Sequence, residues 1–344
     1  MRQQKLFKLI GVIQASIQKS GGERIRATLA EKRKQYRTIF TVLNEYHRIL
    51  AVDISKKAGI ERRITSLRLK EAYEKSYIVG PHLRKKSYKN FIEYVYFVNC
   101  RDALDLYLQY SEDERISYHS VMDGFANLWV ISKEKIIIEG DILVGGPRSD
   151  YHMSFPPDHS WNTAVEIMRK KVENFNLKDY EPKGYIKTHW DETVEWSKED
   201  QLLFEYFKYD LRKPITPVIK KYGTDTEKIE EWLEKLPQYC NILTSYFPET
   251  ISAYDPYIFV FETDYEDFII DLFSELPTSS LFFKVSNKLI SYTYVNRELL
   301  RNVDSSLRDV AQLHIPLMIR DLSKRGIIRN KERAVVAHHC RKNF

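Results

Sequence analysis

Cysteine is scarce: Cys100, Cys240 and Cys340 are the only ones in the chain, and none lies near another in sequence. An odd, scattered set builds neither a disulfide framework nor the paired spacing of a zinc site. It fits a reducing compartment, so the cytoplasm is the expected location. Long apolar runs are missing as well. None approaches the roughly 20 residues that span a bilayer, and no membrane partner is expected. The segment KLFKLIGVIQASIQ is apolar at helical spacing, but Lys8 interrupts it and no small-residue cleavage site follows. It reads as a packing helix over 3–18, not a signal peptide. Signatures of common catalytic machinery are absent too. There is no P-loop, no G-x-G-x-x-G between a strand and a helix, and no H-E-x-x-H. His119 and His152 fall on predicted strands, and His338-His339-Cys340 lies near the C-terminus. Neighbouring strand residues point to opposite faces, so at most one of the two adjacent histidines joins a given site. These patterns predict no metal site, no cofactor and no enzymatic activity.

What is present is basic charge, unevenly placed. The formal net charge is only +6, yet residues 1–37 carry ten Lys/Arg against two Glu. Residues 54–90, ISKKAGIERRITSLRLKEAYEKSYIVGPHLRKKSYKN, carry eleven against three. Such a footprint suits a polyanion, with a solvated helical face as the competing reading. The pattern predicts a short helix stopped at Gly59, where glycine takes the positive φ of a sharp turn. A second helix follows, with Ile60, Ile64 and Leu67 as its apolar stripe. Arg62, Thr65, Ser66 and Leu69 fall on the opposite side, flanked by Arg63, Arg68 and Lys70. Gly80-Pro81 turns the chain into a basic wing carrying Arg84, Lys85, Lys86 and Lys89.

The order then recurs. SKEDQLLFEYFKYD reads as a helix capped by Ser197, KPITPVIKKYG as a short helix ending at Gly223, and TDTEKIEEWLEKL as a helix with Thr224 and Glu227 at capping-box spacing. This copy is acidic, with Glu227, Glu230, Glu231 and Glu234 against a core of Trp232 and Leu233. The last part of the chain reads β-α-β-β-α-β, the ferredoxin-like pattern. The fold class expected is therefore α+β: a winged helix-turn-helix followed by a ferredoxin-like α/β sandwich, present twice. The expected divisions are a basic helical segment over 1–36, a first winged unit over 37–90 and a first sandwich over 91–178. A linker over 179–196, an acidic helical unit over 197–250 and a second sandwich over 251–344 complete the chain.

This order resembles the Lrp/AsnC family of feast/famine transcription regulators. ISKKAGIERRITSLRLKEAYEKSYI is similar to the family's second and third helices, and ISYHSVMDGFANLWVIS to its central hairpin, with Gly124 and Asn127 at matching positions. The family usually has one unit per chain, Thr65 stands where it has a buried aliphatic, and the first sandwich lacks a full second helix. The resemblance implies a sequence-specific DNA-binding regulator that acts as a homodimer on double-stranded DNA. Arg62, Arg63, Thr65, Ser66, Arg68 and Lys70 would face the groove, and Arg84, Lys85, Lys86 and Lys89 the phosphates. A small-molecule effector would bind near Asp123, Gly124 and Asn127. Siroheme decarboxylases look like the same architecture, so an enzyme using histidines near the hairpin, such as His119, is the alternative. A scaffold without DNA binding is the third reading.

Overall fold

The computed structural model describes residues 27–297 and 311–341, with side chains in the second stretch described for 315–337. The expected N-terminal helix over 3–18 and the side chains of His338, His339 and Cys340 lie outside the described residues. The chain is a mixed α/β fold of helices and antiparallel sheets.

Helix α1 (Leu29–Glu45) begins at Thr28, whose hydroxyl accepts from the Glu31 N–H while Glu31 bonds back to the Thr28 N–H. It runs through the division expected at 36/37. Helix α2 (Ala51–Ala58) ends at Gly59, φ 64°, and α3 (Arg62–Glu74) follows. The buried side of α3 is not the Ile60–Ile64–Leu67 stripe. Thr65 is 0% exposed and Arg68 6%, beside Ala72, whereas Leu67 is 53% exposed. The polar groups are satisfied where they sit. Thr65 Oγ1 donates to the Ile60 and Glu61 carbonyls, and Arg68 donates to Gln35 Oε1 at 2.7 Å and Glu71 Oε2 at 2.8 Å. A satisfied polar side chain can occupy a core position that apolar periodicity does not mark. Leu69 and Tyr73 pack onto the same core as Tyr36, Phe40 and Ile54.

A second trio repeats this. Helix α6 (Lys198–Phe207) is capped by Ser197 in a box with Asp200. Helix α7 (Thr216–Tyr222) stops at Gly223, φ 68°, and α8 (Thr226–Tyr239) follows. The cap of α8 is Asp225 rather than Thr224, because the Thr224 hydroxyl donates to Glu199 at 2.7 Å. Each trio ends in a strand, β1 (Ile78–Lys85) and β7 (Cys240–Tyr246), and the two strands pair with each other from Ile78↔Tyr246 to Lys85↔Cys240. The trios also clasp. Arg48 donates to the Lys213 carbonyl at 3.2 Å, and Arg212 to the Ile49 carbonyl at 2.8 Å.

The other strands are β2 (Tyr94–Asn99), β3 (Ile116–Gly124), β4 (Leu128–Ser132), β5 (Asp141–Pro147), β6 (His152–Met153), β8 (Tyr254–Phe261), β9 (Leu281–Val285), β10 (Lys288–Asn296) and β11 (Arg333–Arg341). They form one sheet in the order β5-β2-β4-β3-β11-β8-β10-β9-β6. Each run of four therefore has the order fourth, first, third, second. The halves join along β3 and β11, and β6 returns chain 141–153 to β9. Arg148 bridges Val285, and the Ser149 N–H donates to the Lys284 carbonyl at 3.0 Å. The sheet thus closes on itself as a barrel. At both seams the chains approach too closely for a side chain. A Cβ on Gly124 would strike the Arg333 carbonyl and Ala334, and one on Gly146 would strike Ser286 Oγ, both at positive φ.

Side chains alternate across the barrel wall with the period of two that strands impose. Val95, Phe97, Trp129 and Ile131 point inward, where they join Ile258, Val260 and Phe283 of the other half. Tyr96, Val98, Leu128 and Val130 point outward onto Tyr107 and Tyr110 of α4 (Ala103–Tyr110). No helix separates β4 from β5. Helix α5 (Trp161–Asn174) instead packs on the second half, with α9 (Glu266–Phe273) and α10 (Ala311–Lys324). No helix of the described residues is long and apolar enough to cross a membrane.

Candidate functional site

The mouth of the barrel is roofed by the β1–β7 ribbon and by α6. Between them lies a cavity of about 430 Å³, within the usual size of small-ligand sites, and barrel mouths commonly hold them. Its inner wall is aromatic and apolar: Tyr118, Trp129 and Ile131 from the first half, Phe283, Tyr292 and Tyr294 from the second. The rings brace one another. Tyr118 stands edge-on to Trp129 at 4.6 Å, and Trp129 lies 5.8 Å from Tyr292. Such walls offer a flat ligand ring faces at little cost in mobility.

The roof is basic. His82, Arg84 and Lys85 enter from β1, Lys208 from α6, and Lys133 from the end of β4. Two carboxylates, Glu93 and Glu205, also line the space, and both are engaged. Glu205 pairs with Lys208 at 2.5 Å. Glu93 pairs with Arg148, which is 0% exposed, through Nε at 2.8 Å and Nη2 at 2.5 Å. Burial raises the Glu93 carboxyl, but the Arg148 charge and hydrogen bonds more than offset it, so it lies below the usual carboxylate range. Arg148 also donates to the Ser149 and Lys85 carbonyls at 2.8 Å, which fixes the backbone of the roof.

The residues expected to touch DNA are divided by the fold. Arg62, Arg63, Ser66, Lys70 and Lys89 are exposed. Thr65 and Arg68 are buried inside the first trio and present nothing to a phosphate. Arg84 and Lys85 are drawn into the cavity, since the expected wing is a paired strand and not a free arm. Lys86 Nζ donates to the Pro237 carbonyl at 2.8 Å. A run of cations in sequence gives no sign of this enclosure, because Trp196 and Phe204, which with Phe91 surround Lys85, lie far onward in the chain.

The expected effector residues line no part of the cavity. Asp123 pairs with Val335, and Gly124 packs against β11. Asn127 clamps the end of β2: its Nδ2 donates to the Cys100 carbonyl at 2.6 Å, and its Oδ1 accepts from the Cys100 N–H at 3.0 Å. Replacing Asn127 with alanine should lower stability by about 1–3 kcal/mol, the range for leaving a buried backbone donor or acceptor unsatisfied. Urea unfolding checks this, and an unchanged midpoint would contradict the clamp. His119 does not reach the cavity either. It is 0% exposed on the outer side of the wall, 4.6 Å from the Tyr107 ring and 3.3 Å from Ser111 Oγ. The histidine that does line the cavity, His82, sat unmarked in the expected wing. Among the described residues no group of three or more His, Cys, Asp or Glu stands together to hold a metal ion.

No protein-family model matches the chain, and no curated relative does. Two solved structures match at low identity. One is the siroheme decarboxylase NirDL, 11% identical, with TM-score 0.46 over 89% of this chain and 91% of that one. The other is the same enzyme in complex with an iron-uroporphyrin III analogue, 12% identical, with TM-score 0.45 over 89% and 92%. Both are enzymes, against the expectation that this chain is not one, and that expectation is not kept.

Proposed function

We propose that the chain is a tandem of two units, each a winged three-helix unit followed by a ferredoxin-like half, divided as the sequence suggests. The repeated strand order and the two glycine-stopped helices support this. We further propose that the enclosed cavity takes a flat, largely apolar ligand that bears carboxylates, and that the chain is a decarboxylase acting on a siroheme-type tetrapyrrole. One observation carries the ligand class: an aromatic wall faces a roof where His82, Arg84 and Lys85 gather, and both lining carboxylates are already paired, Glu93 with Arg148 and Glu205 with Lys208. A ring with acidic side chains matches both surfaces. The tetrapyrrole and the decarboxylation are suggested by the name and ligand of the matched enzyme, whereas the cavity itself supports the ligand class.

Loss of CO₂ breaks a C–C bond and leaves the electron pair on carbon. A proton then replaces the CO₂, so a donor must stand near the carboxylate. His82 and Lys85, both on β1, are the candidate donors. Siroheme added to the protein is expected to shift its visible absorbance and give a product lighter by CO₂ in mass spectra. An unshifted spectrum at micromolar protein removes the reading.

DNA binding is the second reading, favoured by the exposure of Arg62, Arg63, Ser66 and Lys70 on one helix. It would use a homodimer on a two-fold site. Reversing both charges (Arg62→Glu with Arg63→Glu) should then weaken salt-sensitive binding to duplex DNA by at least tenfold, on the order expected from lost phosphate and base contacts. Unchanged affinity, or a light-scattering mass of one chain, counts against it.

A further inference from the structure

Lys85 is an unusual cation. Its ammonium sits 4.1 Å from the Phe91 ring centroid, 4.7 Å from Trp196 and 5.1 Å from Phe204. Among the described residues its one hydrogen bond goes to a neutral group, Gln201 Oε1, at 2.6 Å. Gln201 is held in turn by Trp196 Nε1 at 3.0 Å and by Glu205 Oε1 at 2.7 Å.

The charged and titratable groups around it come from four directions. From α6 come Asp200, Glu205 and Lys208, from β7 Cys240, from the segment before β2 Glu93, and from β1 and its continuation Arg84 and Lys86. Each nearby carboxylate is engaged with another group. Asp200 accepts from Ser197 at the start of α6, Glu205 pairs with Lys208, and Glu93 with Arg148. A mostly enclosed ammonium without a hydrogen-bonded counter-ion is costly, and a ligand carboxylate in the adjoining space would supply one.

We propose that Lys85 is the residue through which the cavity recognises a carboxylate, and that binding of the carboxylate is coupled to protonation of its amine. This rests on the reading of the cavity as a carboxylate-ligand site. Burial holds the free amine down at about 8. An ion pair raises it again on binding, so affinity is level below about pH 8 and falls as pH rises past that point. Burial pushes the Cys240 thiol up to about 12, above the range of the test.

The experiment titrates iron-uroporphyrin III into the full chain by visible absorbance from pH 7 to pH 10. Calorimetry at pH 8.5 in two buffers of different ionisation enthalpy counts protons taken up. Wild type should lose affinity above about pH 8 and take up protons on binding. Lys85→Met should bind about 10- to 100-fold more weakly at pH 7, the range for a charge-assisted hydrogen bond, and show no such fall. Lys85→Arg should keep most of the affinity, because its charge does not titrate here, and should take up no proton. Wild-type affinity that stays level to pH 10, or Lys85→Met binding within twofold of wild type, overturns the role of Lys85 while leaving the cavity as the site. No absorbance shift with wild type overturns both. A Lys85→Met chain that fails to fold is recognised by circular dichroism, and the wild-type pH profile and proton count then decide alone.

Discussion

Replacing Arg148 with methionine is expected to destabilise the protein by about 3–5 kcal/mol, the range for breaking a buried ion pair by removing one partner. The guanidinium is fully enclosed, and its hydrogen bonds go to Glu93, the Ser149 carbonyl and the Lys85 carbonyl. Methionine fills much of the volume but leaves the Glu93 carboxylate and two carbonyls without those donors. The loss falls at the β5–β9 seam, where Arg148 bridges Val285. A domain's total stability is about 5–15 kcal/mol, so the variant should unfold at a much lower denaturant midpoint. Acid sharpens the test. Glu93 titrates lower in the fold than in the unfolded chain, so its contribution is present above the unfolded value and is lost as pH falls through the folded one. Wild type should therefore lose stability as pH falls below the usual carboxylate range. In Arg148→Met the Arg84 charge and the Ser117 hydroxyl still favour the Glu93 carboxylate, but burial has lost its main counterweight, so the titration moves up and that acid-dependent loss should shrink. A loss of unfolding free energy under about 1 kcal/mol would show that the seam does not depend on this pair.

Replacing Lys85 with methionine should do the opposite and stabilise the ligand-free protein at neutral pH. The amine lies at about 8 in the fold against an ordinary value of 10.5. The folded state thus resists the proton that the unfolded chain readily holds. The penalty grows as pH falls from the ordinary value toward 8 and is complete below that. The gap corresponds to about 3 kcal/mol, and attraction to the three rings returns about 1, so a gain of about 2 kcal/mol is expected. Wild type should become more stable between pH 8 and pH 10.5, and the variant should lack that rise. Thermal unfolding of both proteins across this range is the measurement. A variant less stable than wild type at pH 7 would mean that the aromatic cage outweighs the cost of burial.

Local chemistry made much of the architecture legible. Gly59 and Gly223 stop their helices, Ser197 caps α6, and the apolar strand runs of the second half appear where alternation places them. What escaped depends on partners distant in sequence. The inner side of α3 was misplaced because Arg68 is neutralised by Glu71 and bonded to Gln35 from α1, which no apolar stripe records. The expected wing became a roof because β1 pairs with β7, more than 150 residues onward in the chain. The candidate site was the least legible part. Its basic residues are visible as charge, but their enclosure by Trp129, Phe204 and Phe283 arises only when the barrel closes and α6 covers its mouth. Asp123, Gly124 and Asn127 resemble a binding turn in sequence, whereas their pairing, packing and hydrogen bonds go to the seam and to β2.

The ribbon over the cavity is made of two unlike strands. β1 brings His82, Arg84 and Lys85, while CNILTSY of β7 has no charged residue at all. A ring of identical subunits would have to repeat every charge across its axis and would present the same edge to a guest from both sides. Two unlike strands within one chain carry no such constraint. On the proposed reading, a guest with acidic groups around its rim would meet one cationic edge and one neutral edge and settle one way round. Any reaction in the cavity would then reach some of those groups and spare the rest, a regiochemical choice written into the order of the two strands.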